Sequence, residues 1–396
     1  MSSWFSFWRV QTKFEECTGL FSVGCTDFMC AEDDSAGVTG KAGSFIRFFY
    51  PTERTAALDE TKTCFWIPRQ EYTSGLVNFM KFPAAWLLGG LFYWTVGSLR
   101  IPAVYNAPVY KPVGDTDRSL PCVVFSHGLG GNRLLYSTYC CELASQGCVV
   151  ACVEHRDESA SATYVLKEQE GDEEMTEEWM QYHSLQPSYN EFEFRNSQVH
   201  HRANECINAR NILEKIHSGE FPRNLLKENS ILQTAQAKDK RFRCGVVLDV
   251  WMLPLGEEIF NYELDQPLLF VNSQAFHRWK GNMDPLKKLI NKKPDTRPII
   301  AIRWTKHMNQ CDIPSVLPPY ILRWTSLGSK LDPSTAVSLN RQAVWAFISR
   351  HLGIGNPPLH EPILDGGEGT PEHIIIGSEM TPQTDDKKID SVPSSL

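Results

Sequence analysis

Three stretches of this chain hold residues able to do chemistry on an ester. The turn His127-Gly128-Leu129-Gly130 follows the apolar run Cys122-Val123-Val124-Phe125. Asp249 ends a second run, Cys244-Gly245-Val246-Val247-Leu248, and His307 lies three residues beyond a third, Arg297 to Trp304. A glycine turn after a buried strand presents backbone N–H groups that can hold the negative oxygen of a tetrahedral intermediate, as described for lipases and esterases. A carboxylate at the C-terminal end of a strand stands where open α/β sheets gather catalytic groups, although helix caps and turns also use aspartate. A lone loop histidine is ordinarily a solvated group, but this one follows the acid in the order nucleophile, acid, histidine. Ester hydrolysis is the first hypothesis.

A sheet has to position these groups. Cys122–Phe125 and Gly147–Val153 are short, apolar and β-branched, as suits strands buried on both faces, and Leu134, Leu135, Tyr139, Leu143 and Ala144 recur between them at helical spacing. This β-α-β unit predicts an α/β fold. GKAGSFIRFFY (40–50), ahead of Pro51, predicts the first strand, and Gln266–Asn272 and Arg297–Trp304 the last two. Arg195–Ile216 carries Val199, Ala203, Cys206, Ile207, Ile212, Leu213 and Ile216 at helical spacing and ends at Gly219 and Pro222; Arg341–Leu352 reads as a terminal helix. The charged stretch 167–179 reads as an acidic surface loop. The domain boundaries expected are an N-terminal extension over 1–39, an α/β-hydrolase domain over 40–353 and a disordered tail over 354–396, where Gly, Pro, Ser, Asp and Glu dominate.

At 396 residues, 42% hydrophobic and 22% charged, the chain is long enough for one large α/β domain or two smaller ones. Its net charge of -8 argues against a nucleic-acid surface. The twelve cysteines form no CxxC pair, which disfavours a disulfide framework or a zinc site. In MSSWFSFWRVQTKFEE, Arg9, Gln11 and Lys13 interrupt the apolar core that a secretory signal requires, and Ser2 excludes the simple myristoylation signal. A cytoplasmic location, with or without membrane association, follows by elimination.

Phe82 to Val96 runs without a charge. As a helix it spans about 22 Å, against roughly 30 Å of hydrocarbon in a bilayer, so it does not cross a membrane. It is either a buried helix or one whose Trp86, Leu87, Leu91, Phe92 and Trp94 lie in a lipid interface.

FSHGLGGNR, LYS, ELAS-G and VEHRD-SASATY, all within Pro121–Tyr164, are followed by RFRCGVVLDVWMLPLGEE (241–258), QPLLFVNSQAF (266–276) and AVWAFISRHLG (343–353). In order and spacing these blocks resemble the plasma and type II intracellular platelet-activating factor acetylhydrolases, serine esterases that remove short or oxidised acyl groups from phospholipids. The resemblance, from Phe45 to Gly353, implies an α/β-hydrolase fold with a mostly parallel central sheet covered by helices. It implies a Ser-Asp-His triad with Asp249 as acid and His307 as base, an oxyanion hole using the amide of Leu129, and a lipid-facing surface at Trp86 to Trp94. It also implies a phospholipid substrate at a membrane or lipoprotein surface, with no cofactor, no metal and no need of calcium.

The nucleophile is missing from this pattern. An α/β-hydrolase carries it on a strand-to-helix elbow of the form G-x-S-x-G, and no serine here has glycines at both flanking positions. Segment 217–243, HSGEFPRNLLKENSILQTAQAKDKRFR, offers only Leu225, Leu226, Ile231 and Leu232 among polar residues, so the nucleophile strand is expected to be absent, with Leu226 near the place of the serine. Neither Ser126 nor Ser230 sits at a recognisable elbow. The loop WTKHMNQCDIP has Trp304 and Thr305 where a small glycine-serine turn is expected. The chain as written is therefore expected to be inactive as an esterase and poorly folded. The alternative to an enzyme with a truncated transcript is a catalytically silent form that binds lipid or a partner.

Overall fold

A computed structural model describes residues 14–30, 43–53, 62–110, 120–168, 175–220, 222–226, 242–261, 264–325, 327–355 and 357–379. Two compact units are present, one within Val10–Lys240 and one within Arg241–Leu396.

In the first unit β1 (Ser22–Met29), β2 (Phe45–Thr52), β3 (Thr63–Phe65), β4 (Arg100–Tyr105), β5 (Cys122–Ser126) and β6 (Val149–Glu154) form one sheet in the order β3-β4-β1-β2-β6-β5. β5 and β6 run parallel, and β2 is antiparallel to both β1 and β6. Its helices are α1 (Gln70–Phe79), α2 (Ala85–Val96), α3 (Ser137–Ser145) and α4 (Glu191–Ser218). Ile46, Phe48, Tyr50, Val149, Ala151 and Val153 pack against Ala209, Ile212, Leu213 and Ile216 of α4.

Phe45–Thr52 is thus the second strand. The first, β1, lies within residues 1–39, which composition leaves outside the domain. Its alternation is hidden by a buried acid: Asp27 accepts from Arg47 Nε and Nη2 at 2.9 and 2.7 Å and from Arg133 Nε at 3.2 Å. Gly24 is required there, since the Tyr50 ring lies 2.3 Å from where a Cβ would stand. Pro51 sits inside β2 because the β2–β6 register ends at Phe49, so that β1 is its one strand partner and no ladder bond needs its missing N–H; its carbonyl accepts from the Tyr110 amide at 2.8 Å. The acidic stretch is also more ordered than a loop: β7 (Ala162–Glu168) and β8 (Met175–Gln181) form a hairpin, with Trp179 packed on Tyr72 and Tyr164.

In the second unit β9 (Gly245–Leu248), β10 (Leu268–Ser273), β11 (Ile299–Ile302) and β12 (Ile374–Ile376) follow the order β12-β11-β10-β9. β9, β10 and β11 are parallel, and β12 is antiparallel to β11. The helices here are α5 (Gln274–Arg278), α6 (Lys280–Asn291), α7 (Ile313–Val316), α8 (Pro319–Trp324), α9 (Pro333–Leu352) and α10 (Pro362–Asp365). Asp332 caps α9 by accepting from the Thr335 amide at 3.1 Å, and Gly353, at φ 68°, ends it. The stretch after Gly353, read as a disordered tail, holds α10 and β12. Its three isoleucines complete the sheet, and residues 380–396 lie outside the described part.

Among the described residues no strand intervenes between α4 and β9. Residues 227–241 of the interval lie outside the described part. Asn224 pins the preceding turn to the end of β1, accepting from the Met29 amide at 3.0 Å, and Leu226 lies in that turn. β5 ends its sheet and is half-buried along Cys122–Phe125, with Ser126 exposed, while its neighbour β6 is buried throughout. β9 likewise ends its sheet, and all four of its residues are half-buried.

Burial alone pushes the Asp27 carboxyl up, but the Arg133 and Arg47 guanidiniums overcome it and hold the group well below the usual carboxylate range. A depressed folded-state value contributes stability above the unfolded value of about 3.9 that is lost as pH falls. Asp27→Asn, which leaves two buried guanidiniums short of a counter-charge, should cost about 3–5 kcal/mol. Denaturant titration at neutral pH checks this, and between about pH 4 and pH 2 the unaltered chain should lose stability more steeply than the variant.

Candidate active site

Asp249 follows β9 directly and is buried, with its backbone in the left-handed region at φ 47°. Its amide donates to Val271 O at 3.0 Å, so it remains tied to β10. The carboxylate accepts three hydrogen bonds. Ser273 N reaches Oδ1 at 2.6 Å, Ser273 Oγ reaches Oδ2 at 2.7 Å, and His307 Nδ1 reaches Oδ2 at 3.0 Å. An acid buried this way is held as an acceptor and fixes the imidazole tautomer with its proton on Nδ1. The His307 side chain is 41% exposed, and its Nε2 has no partner among the described residues.

The loop before His307 is built differently from a glycine-serine turn, yet it brings the histidine to the acid. Trp304 takes the left-handed conformation at φ 59°. Its amide donates to the Gln274 side chain, and Thr305 Oγ1 both donates to Ile302 O at 2.5 Å and accepts from Gln274 N at 3.2 Å. Trp304 and Thr305 therefore lash the loop to the start of α5, whose N-cap is the same Ser273 that holds Asp249. Phe276 of α5 packs on the His307 ring, centroids 4.9 Å apart.

The His127-Gly128-Leu129-Gly130 turn belongs to the first unit. His127 Nδ1 donates to Gly128 O at 2.9 Å, and Nε2 accepts from the His155 amide at 3.1 Å, so this ring is a turn-former. Burial, then the nearby His155 and Arg202, holds its pKa well below the ordinary value, in keeping with a neutral ring. Gly130 is at φ 70°, and a Cβ there would meet the Phe79 ring at 2.3 Å. The amides of Gly128, Gly130 and Gly131 donate to Tyr136 Oη, Ser159 O and Gly128 O. That of Leu129 has no acceptor among the described residues.

Beside this turn lies a group that apolar spacing did not reveal. Ser126 Oγ is 2.7 Å from His155 Nε2, and His155 Nδ1 is 2.6 Å from Glu205 Oε2. Glu205 also accepts from the Arg156 amide at 2.9 Å and lies 3.3 Å from His201 Nε2. Periodicity put Val199, Ala203 and Ile207 on the inner side of α4. The structure buries Arg195, Gln198, Glu205 and Asn208 instead, and leaves Ile207 44% exposed. The one sequence signal for the group was the pair of polar blocks itself, His155-Arg156-Asp157 and His200-His201-Arg202 with Glu205 one turn on.

Helix α2 rests on α1 through its glycines: a Cβ on Gly89 would meet Ser74 Cα at 2.4 Å. Its other face is apolar and open, with Trp86 72%, Leu87 57%, Leu91 58% and Trp94 81% exposed, while Phe92 is half-buried. Among the described residues no helix is long and apolar enough to cross a membrane, and no group of three His, Cys, Asp or Glu is placed to hold a metal ion.

The family model described as platelet-activating factor acetylhydrolase, isoform II, matches this chain in two stretches, residues 7–236 and 229–357. Their junction falls inside segment 217–243. A platelet-activating factor acetylhydrolase of Gallus gallus is 37% identical over 369 residues, 85% of this chain and 83% of the relative. One of Canis lupus familiaris is 35% identical, over 87% of this chain and 78% of the relative. A putative phospholipase A2 of Schizosaccharomyces pombe is 25% identical over 371 residues, 76% of this chain and 82% of the relative. The solved ferulic acid esterase from Streptomyces cinnamoneus superposes with a TM-score of 0.60 at 16% identity, covering 92% of this chain and 99% of that one, a likeness of fold alone. Matched by the family model on both sides of the missing elbow, and by relatives of this identity over most of its length, the chain belongs to the platelet-activating factor acetylhydrolase, isoform II, family and has the α/β fold expected of it.

Proposed function

We propose that this chain is a phospholipid ester hydrolase acting on short or oxidised sn-2 acyl groups, with Asp249 and His307 as acid and base of a Ser-Asp-His relay. The observation that carries the reading is the His307 Nδ1–Asp249 Oδ2 bond of 3.0 Å, which leaves Nε2 as the proton acceptor. The names of the relatives, platelet-activating factor acetylhydrolase and putative phospholipase A2, support the substrate class. In this mechanism His307 takes the proton of a serine hydroxyl as its oxygen attacks the ester carbonyl, and Asp249 stabilises the imidazolium. In such a relay backbone amides, one of them following the nucleophile, receive the oxyanion; loss of one such donor typically costs about 10²- to 10³-fold. The imidazolium then protonates the leaving alkoxide, and water repeats the cycle on the acyl-enzyme. Trp86, Leu87, Leu91, Phe92 and Trp94 form the face that meets the phospholipid surface. All twelve cysteines are free thiols, as suits the cytoplasm.

A specific observation favours a second reading for the chain as written, a silent form that binds lipid without hydrolysing it. It has no G-x-S-x-G, and among the described residues β5 and β9 each end a sheet.

Inserting the family's strand and elbow between residues 226 and 242 separates the two readings. The lengthened chain should hydrolyse a 2-acetyl glycerophosphocholine in the presence of a calcium chelator, and the unaltered chain should bind vesicles without doing so. In the lengthened chain His307→Ala or Asp249→Ala should lower kcat by about 10⁴-fold or more with an unchanged melting temperature. Near-normal turnover after His307→Ala would sink the assignment.

Replacing Trp86 or Trp94 by Ala should weaken binding to phosphatidylcholine vesicles about tenfold or more while leaving the melting temperature alone, because both side chains are exposed. A fall in melting temperature without a change in vesicle affinity would mean that α2 serves the core.

A further inference from the structure

The geometry points to a second nucleophile, outside the Asp249–His307 pair. Ser126, His155 and Glu205 form a serine–histidine–carboxylate relay at the open end of β5, in which Ser126 accepts an acyl group from a short, activated ester. The distances are those of a nucleophile joined to its base and a base joined to its orienting acid, 2.7 and 2.6 Å. Each group is in the state the chemistry needs. Burial pushes the Glu205 carboxyl up, but hydrogen bonds from His155 and His201 outweigh it and hold the group well below the usual range, so it is an anion. Burial, then Arg202, lowers His155, so the ring is neutral, with Nδ1–H toward Glu205 and the Nε2 lone pair toward the Ser126 hydroxyl. Burial pushes the neighbouring Cys206 thiol up to about 11. It therefore stays protonated and does not compete for the base.

A network present only to satisfy buried groups would end on a buried hydroxyl. Here His155 is fully buried and Glu205 nearly so, while Ser126 is exposed. That exposure follows from β5 having a strand partner on one side only among the described residues. Leu129, three residues on in the same turn, supplies an uncommitted backbone donor for the oxyanion. In the step, Ser126 Oγ bonds to the carbonyl carbon and its proton passes to His155 Nε2. The bond to the leaving oxygen breaks, and that oxygen takes the proton from His155. Water attacks the acyl-Ser126 by the same route and releases the acid.

The test uses the unaltered 396-residue chain, so the G-x-S-x-G reaction of the lengthened form cannot be mistaken for it; failure of the family reading appears in that other chain. After treatment with a fluorophosphonate probe or p-nitrophenyl acetate, peptide mass mapping should find the adduct on Ser126, and heat-denatured chain should not acquire it. Ser126→Ala should abolish that adduct with its melting temperature unchanged. Glu205→Gln, which keeps the hydroxyl but not the tautomer, should slow labelling by about 10²- to 10⁴-fold. Should that variant not fold, the map of the unaltered chain decides alone. No adduct, an adduct on another residue, or equal labelling before and after denaturation would each overturn the inference.

Discussion

A strand buried in a sheet has to pair its backbone on both sides, and among the described residues β5 and β9 do so on one. The apolar runs Cys122–Phe125 and Gly245–Leu248 have the composition of strands covered on every side, yet each is only half-buried. Each unmade ladder bond forgoes about 0.5–1.5 kcal/mol net. The family model breaks into two stretches in the interval before β9. In this fold the elbow serine is carried by a strand, and among the described residues none lies between α4 and β9.

Asp249 and His307 are joined because everything that positions them lies in one unit and after the break. β10 supplies Ser273, α5 supplies Gln274 and Phe276, and the loop after β11 supplies Thr305; each is joined to Asp249 or to the His307 loop by a short contact. None of these contacts passes through segment 217–243. The aspartate–histidine contact can thus form in a chain that has no G-x-S-x-G serine.

The parts of the molecule legible in the sequence were those built from apolar runs. β5, β6, β9, β10 and β11 follow from runs of Val, Ile and Leu, and Asp249 and His307 follow from standing at the ends of two of them. What periodicity missed was polar and buried. β1 is disguised by Asp27, whose partners Arg47 and Arg133 are far off in sequence. The inner face of α4 was misjudged because Glu205 goes inward to His155 while Ile207 goes out. Trp304 at a positive φ looked incompatible with a tight turn. Its conformation is held by hydrogen bonds that no local rule anticipates.

At the ends of their sheets opposite β5 and β9 stand β3 and β12, and both are only three residues long. Such stubs offer an incoming chain too few backbone groups to grip, a common way of keeping a sheet from growing. β5 and β9 have no such protection. Neither contains a proline, a lysine or a bulge. Among the described residues these two short lengths of backbone carry none of the usual devices against edge-to-edge pairing, a property of strand composition that the net charge of -8 does not reveal.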